Sequence, residues 1–214
     1  TGSWGYEFQV GKKFFSIRAY NIEYSSFKPQ TKLLEIFDNN PSLRNVFTDG
    51  FIESFSGGMT VVGGKGKNVN NFRVNIEKSG LLTTLIKHND FLDTNLYRFI
   101  KIDVDFARKI VFGKSALALH LFTGIGYESN STVNKNKRNN LPFFRQYFAG
   151  GPNSMRAWAL RKLGRGSSVK EFGSTGIPDR YGDLQLEGNV EYRFPISVIS
   201  GVKVDGALFT DIGN

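Results

Sequence analysis

Few residues in this 214-residue chain stand where they could do bond chemistry. The two histidines, His88 and His120, are far apart, and neither has a carboxylate neighbour at the spacing of a metal site or a catalytic triad. His120 falls on the polar side of an alternating run, which reads as a lumen or core histidine. Asp103 and Asp105 share a face, but Lys101 and Lys109 flank them there, so the expectation is a salt-bridged ladder rather than an acid/base pair. Gly113-Lys114-Ser115 ends like a phosphate-binding loop. That loop needs Gly at position 108, which is Arg, and a following helix, where this sequence continues as strand. It reads as a hairpin turn. Asn130-Ser131-Thr132 fits a glycosylation acceptor, a pattern short enough to arise by chance. Cysteine is absent, which excludes a disulfide scaffold, a thiol nucleophile and Cys-based metal sites. The sequence therefore predicts no enzyme, no cofactor and no metal.

Charge points elsewhere. Lys and Arg number 28 against 19 Asp and Glu, for a formal net charge of +9. Nucleic-acid binding is the first reading of such a balance. However, the aromatics lie on apolar strand faces rather than among the basic residues Lys65, Lys67, Lys135, Lys137 and Arg138, so no stacking platform is indicated. Basic loops meeting the anionic head groups of lipopolysaccharide account for the same charge, and a merely solvated loop is the plainer alternative.

The elements that carry these residues are strands. Apolar residues alternate at Trp4–Val10, Phe14–Phe27, Phe72–Ile76, Ile100–Ile110, Leu117–Ile125, Leu184–Phe194 and Val202–Leu208. With a further strand at 51–62, about eight antiparallel strands are predicted. Short helical turns are possible at Thr31–Phe37, Leu43–Phe47 and around Leu81-Leu82 with Leu85-Ile86, too little for a helical layer. Gly113–Ser115 is a tight connection, whereas Gly63–Asn71, Asn130–Asn140 and 150–183 read as long polar loops. Short turns at one end and long loops at the other suit a transmembrane β-barrel.

Alternation alone does not say which face meets water, and a soluble sandwich or lipocalin-like barrel stays open. Mean hydropathy is −0.27 and no apolar run reaches the roughly 18–20 residues of a spanning helix. The strand-like runs 97–112 and 184–194 are long enough to cross a bilayer when tilted. Aromatics at strand ends (Trp4, Tyr97, Phe99, Phe112, Tyr127, Tyr181, Phe194) fit interfacial girdles. The membrane barrel is favoured, with Leu184, Leu186, Val190, Tyr192 and Phe194 towards lipid.

Residues 141–166 break the pattern of a polar outer loop: they are apolar, bent by Gly150, Gly151 and Pro152, and bear arginine. Such a loop is expected to fold inward and be ordered, unlike Asn130–Asn140, with Trp158 and Leu160 as packing surface. A tucked-in arginine needs carboxylates, and Glu187, Glu191, Asp205 and Asp211 all lie on the polar faces of the two strands that follow.

Phe148-Ala149-Gly150-Gly151 with Ser154-Met155-Arg156-Ala157-Trp158 resembles the lumenal-loop motif of the BamA/TamA superfamily of outer-membrane assembly barrels, the bacterial surface antigen family. Gly188–Pro195 is similar to the strand after that loop, and Phe209–Asn214 to the next, in the same order and spacing. The extended form from Leu141 to Gly164, with a loose counterpart in Asn40–Ile52, looks most like the Bacteroidota branch. The resemblance implies an all-β fold: an antiparallel transmembrane barrel in which residues 1–214 form a C-terminal half of a sixteen-stranded whole. Its lumenal loop would cover about 141–183, and the POTRA domains and last strands would lie outside this chain. It implies that Arg156 pairs with Glu191 and Asp211, with Glu187 and Asp205 as lesser candidates. Ala157 replaces the usual Gly, which would set the loop slightly outward and leave one contact bridged by water.

The implied activity is folding and insertion of β-barrel proteins or surface lipoproteins into the outer membrane. Implied partners are outer-membrane lipids and lipopolysaccharide, unfolded outer-membrane clients and accessory assembly lipoproteins. A polypeptide-secreting pore of the same superfamily, or a barrel anchoring an N-terminal enzyme domain, are the rival readings.

Overall fold

The structure is a computed structural model and describes residues 1–26, 28, 30–39, 50–82, 96–129, 141–160, 163 and 181–214. The readings made on 43–47, 85–86, His88, 130–140 and 164–166, and on most of 40–52, lie outside the described residues. Eight strands follow one another: β1 (Gly2–Val10), β2 (Lys13–Ser25), β3 (Gly50–Lys65), β4 (Asn68–Ser79), β5 (Phe99–Phe112), β6 (Ser115–Glu128), β7 (Leu184–Ile199) and β8 (Val202–Gly213). They form one antiparallel sheet in the order β1 to β8, with β1 and β8 at its edges. Among the described residues of the β2–β3 connection lies helix α1 (Thr31–Asn39).

Every odd-to-even connection (β1–β2, β3–β4, β5–β6, β7–β8) is a two-residue turn at one end of the sheet. The connections 26–49, 80–98 and 129–183 all return at the other end. One expectation is corrected here. Gly63–Asn71 is not a long loop: β3 and β4 stay paired to Lys65↔Asn68, and Gly66, at φ 63°, makes the tight reversal. Paired glycines and asparagines look like loop in sequence, yet here they continue the ladder. Lys65 and Lys67 therefore stand at the short-turn end, away from the long loops.

The register sorts the two faces. In β7, Gln185, Glu187, Asn189, Glu191 and Arg193 point to the side the 129–183 connection enters, and Gln185 and Glu187 are buried there. Leu184, Leu186, Val190 and Tyr192 point outward and are exposed, as are Trp4, Tyr6, Phe8, Ile76, Leu121, Ile125 and Leu208. A continuous apolar outer face of this extent is unlike a soluble surface and is what a bilayer covers. Phe8 stacks on Phe15, and Phe112 and Phe194 stack on Tyr192, towards the turn end; Trp4 and Tyr127 stand outward nearer the loop end. Tyr97 and Phe99 do not join this girdle. They are buried on the inner side with Ile52, Leu141 and Tyr147, so the core is an apolar plug inside the sheet at its loop end. Tyr181 also turns inward, edge-on to Phe148 in the loop.

Candidate functional site

The β6–β7 connection enters the concave side in two stages. Its first stage begins at Leu141, whose N–H donates to Asp183 Oδ1 at 3.0 Å, while Gln146 Nε2 reaches the same oxygen at 3.3 Å. Burial pushes the Asp183 carboxyl above its ordinary range, against the pull of these two donors. Tyr147 and Gly182 exchange backbone hydrogen bonds of 2.8 and 3.0 Å, which ties the two arms of the loop together. A single 3₁₀ turn, Phe143–Arg145, then aims Arg145 across the concavity. Its Nη2 lies 2.7 Å from Glu23 Oε1 on β2, and its Nε 3.4 Å from Glu77 Oε2 on β4.

Tyr147 crosses the other way. Its ring fills the space over Gly124, where a Cβ would come within 2.5 Å of ring atoms. The hydroxyl donates to Asp103, and Lys101 Nζ sits 4.2 Å from the ring centroid. Burial, followed by the bond to Asp103, raises the phenol well above its usual range.

The second stage is the motif itself. Gly150 and Gly151 take φ of 108° and 102°, a backbone that L side chains rarely adopt, and this reverses the chain. Gly151 N–H donates to Trp158 O at 2.8 Å, closing the reversal. Ser154 Oγ accepts from Gly150 N–H at 3.3 Å and donates to Glu187 Oε2 at 2.6 Å. Met155 is buried close to Gly213 of β8.

Arg156 is the centre. Its backbone N–H donates to Asp211 Oδ2 at 3.0 Å, Nε to the same oxygen at 2.9 Å, and Nη2 to Asp211 Oδ1 at 2.6 Å. Nη1 donates to Glu191, and the guanidinium carbon lies 3.9 Å from the Phe209 ring centroid. Asn189 Nδ2 bridges Asp211 Oδ1 and Ser154 O, and Arg193 Nε donates to Glu191 from the far side. The bonds to Asp211 are the main cause that raises the guanidinium pKa further above its ordinary value. Glu191 stands about 23 Å along β7 from Leu184, at 3.3 Å per residue, so the loop reaches the middle of the sheet.

The expected pairing of Arg156 with Glu191 and Asp211 is therefore present, and both contacts are direct. The water-bridged contact predicted from Ala157 is not found, because Ala157 is exposed and its methyl does not wedge the loop outward. Glu187 serves Ser154 rather than Arg156, and Asp205 lies nearer the turns, lining a cavity with Lys67, Lys109, Lys114 and Arg193. Trp158 (47% exposed) and Leu160 (59%) do not supply the packing; Leu141, Tyr147, Ala149 and Met155 do. The Asp103/Asp105 ladder is also rearranged. Lys101 lies 4.0 Å from Asp103, but Asp105 meets His120 at 3.2 Å instead of Lys109. His120 is held from its other nitrogen by Asn189 at 2.7 Å.

Sequence reasoning did not single out Arg145, Glu23, Glu77 or Tyr147. Arg145 carried the same signal as Arg156, an arginine on an apolar loop, but its partners Glu23 and Glu77 are 122 and 68 positions away. Below the loop, towards the turns, lies a cavity of about 650 Å³ bordered by Lys109, His120, Asn153, Arg156, Glu191 and Arg193. Among the described residues no three His, Asp or Glu side chains converge as metal ligands. What the site can do is hold a loop by charge-assisted hydrogen bonds.

Residues 45–214, more than three quarters of the chain, match the family model described as the Omp85 superfamily domain. No curated protein matches the chain.

Proposed function

Because the chain belongs to the Omp85 superfamily, whose members are outer-membrane proteins, we propose that it folds and inserts β-barrel proteins or surface lipoproteins into that membrane. The observation that carries this reading is the loop fastened at both sides of the concavity, by Arg156 on β7 and β8 and by Arg145 on β2 and β4. A loop strung across the lumen obstructs a polypeptide moving through it, while leaving the wall free to act. Insertion at the wall is then the better fit than secretion through the lumen. In this mechanism a weakly paired seam of the complete barrel opens laterally and offers unpaired N–H and C=O groups to an incoming strand, which is β-augmentation. The clasped loop keeps the strands opposite the seam in register. Clients are unfolded outer-membrane chains, accessory lipoproteins assist, POTRA domains deliver, and the extended loop from Leu141 favours the Bacteroidota branch.

The test reconstitutes the full-length protein into vesicles and adds an unfolded β-barrel client. Faster appearance of membrane-embedded, heat-modifiable client than in empty vesicles is the expected result. An unchanged insertion rate, or client delivered into the vesicle interior, overturns the proposal.

A further inference from the structure

Lysine stands in or within two residues of each of the four hairpin turns among the described residues. Lys12 and Lys13 follow β1, Lys65 ends β3 and Lys67 lies in the β3–β4 turn, Lys114 lies in the β5–β6 turn, and Lys203 follows the β7–β8 turn. All six are exposed. None of their side chains makes an ion pair with the described residues. The stretches 9–14, 63–69, 110–116 and 198–203 contain no Asp or Glu. Hairpins recur every two strands, so this makes a rim of positive charge repeating about every 10 Å, in which Asp205, lining one cavity with Lys67 and Lys114, is the nearby acid on β8.

We propose that this rim docks on the anionic phospholipid head groups of the leaflet that meets the short-turn end. Two features favour a lipid surface over an acidic protein. First, the charge is spread along the whole edge rather than gathered in one patch. Second, Lys13 pairs with Val10 and Val61 in the register, which sets it on the outward face, and Val10, Phe112, Ile199 and Val202 stand exposed beside the turns. Lysines at the border of an apolar belt extend their stems along it and place the ammonium at head-group level. Lysine is also a flexible point charge, suited to a phosphodiester without forked geometry. The proposal rests on the outer-membrane placement of the chain, not on its activity.

The experiment uses the full-length protein in nanodiscs of phosphatidylethanolamine with ~30% phosphatidylglycerol, and weighs the lipid retained after mild delipidation; the rim should enrich phosphatidylglycerol about threefold over its bulk share. The variant K12Q/K13Q/K65Q/K67Q/K114Q/K203Q should fall to about the bulk share, and the matching Lys→Arg variant should keep the enrichment. Raising salt from roughly 0.05 to 0.5 M should remove it. If the sixfold variant does not fold, K12Q/K13Q, K65Q/K67Q and K114Q/K203Q each test a part, and each should give intermediate enrichment. Enrichment equal to the unmodified protein in every Gln variant overturns the proposal. So does capture of soluble polyglutamate without any phosphatidylglycerol preference, which would assign the rim to an acidic polypeptide. A protein that enters nanodiscs yet shows no enrichment refutes the rim alone; one that does not enter refutes the membrane placement as well.

Discussion

Arg156 and Arg145 leave the same loop and end in unlike surroundings. Arg156 meets one carboxylate, Asp211, with its backbone N–H, Nε and Nη2, and a second, Glu191, with Nη1; Phe209 lies against its guanidinium. The Asp211 side chain is only 6% exposed. The Arg145 side chain makes one hydrogen bond, to Glu23, and stands 3.4 Å from Glu77 with its buried Nε lacking a hydrogen-bond partner; its backbone N–H stays within the loop, donating to Pro142 O. The two acids at Arg145 also have other donors: Asn21 to Glu23 at 2.9 Å and Ser54 to Glu77 at 2.9 Å. One arginine is a lock built for its partner, and the other is a strut spanning from β2 to β4. The difference lies in what each removal leaves behind.

Arg156→Ala should have the largest effect. It strips Asp211 of two side-chain donors and Glu191 of one in a half-dry site. Only the backbone N–H at position 156, Asn189 and Arg193 are then left to serve the two acids. Discounted for partial exposure of the arginine, the loss should be about 2–3 kcal/mol, read as a lowered midpoint of heat-modifiable unfolding in detergent. Arg156→Lys should recover only part, because an ammonium cannot reproduce the forked contact. If Lys matched Arg, the geometry of the lock would be irrelevant and only its charge would count.

Gly124→Val comes next. A side chain there collides with the Tyr147 ring, which must move and release Asp103. Overpacking of this kind should cost about 1–3 kcal/mol. Fluorescence or cross-linking from the 141–147 arm should change while the Arg156 contacts persist. Simultaneous loss at both places would show that the loop moves as one body.

Arg145→Ala should cost less, about 1 kcal/mol, since Glu23 and Glu77 keep Asn21 and Ser54. A cost matching that of Arg156→Ala would erase the distinction between lock and strut.

How much of this was readable beforehand follows from distance along the chain. Period-2 alternation assigned the outward Leu184–Tyr192 set and the inward Gln185–Arg193 set, because pleating fixes side-chain direction locally. The Arg156 partners lie on the two strands directly after the loop, so strand parity and the motif were enough. Glu23 and Glu77 sit on strands whose place opposite the loop depends on how the whole sheet curves, which no local pattern records. The same limit hid the pairing of Asp105 with His120, a matter of β5–β6 register. Tyr97 and Phe99 were misassigned for a different reason. An aromatic at a strand end suits an interface or an inner plug equally well, and only the loop packed above them decides it.

The smallest expected effect bears most directly on the comparison. Arg145 and Arg156 share no partner: one touches β2 and β4, the other β7 and β8, with β5 and β6 between them. Sites so separated usually add within about 0.5 kcal/mol, so the double variant Arg145→Ala/Arg156→Ala should lose the sum of the two single losses. The connecting chain argues for coupling in the other direction. Gly150 and Gly151 lie between the two arginines, and Tyr147 is pinned there through Gly182 and Asp103. That pin anchors the intervening segment to β5 and to the returning arm of the loop, so slack introduced at one arginine stops before it reaches the other. A cycle measured in the unmodified background should therefore close to within that margin. The same cycle repeated with Tyr147→Phe, which removes the bond to Asp103 but keeps the ring over Gly124, should open to a coupling above it. Should the first cycle already show coupling, the pin at Tyr147 does not isolate the two arginines, and lock and strut are parts of a single fastening.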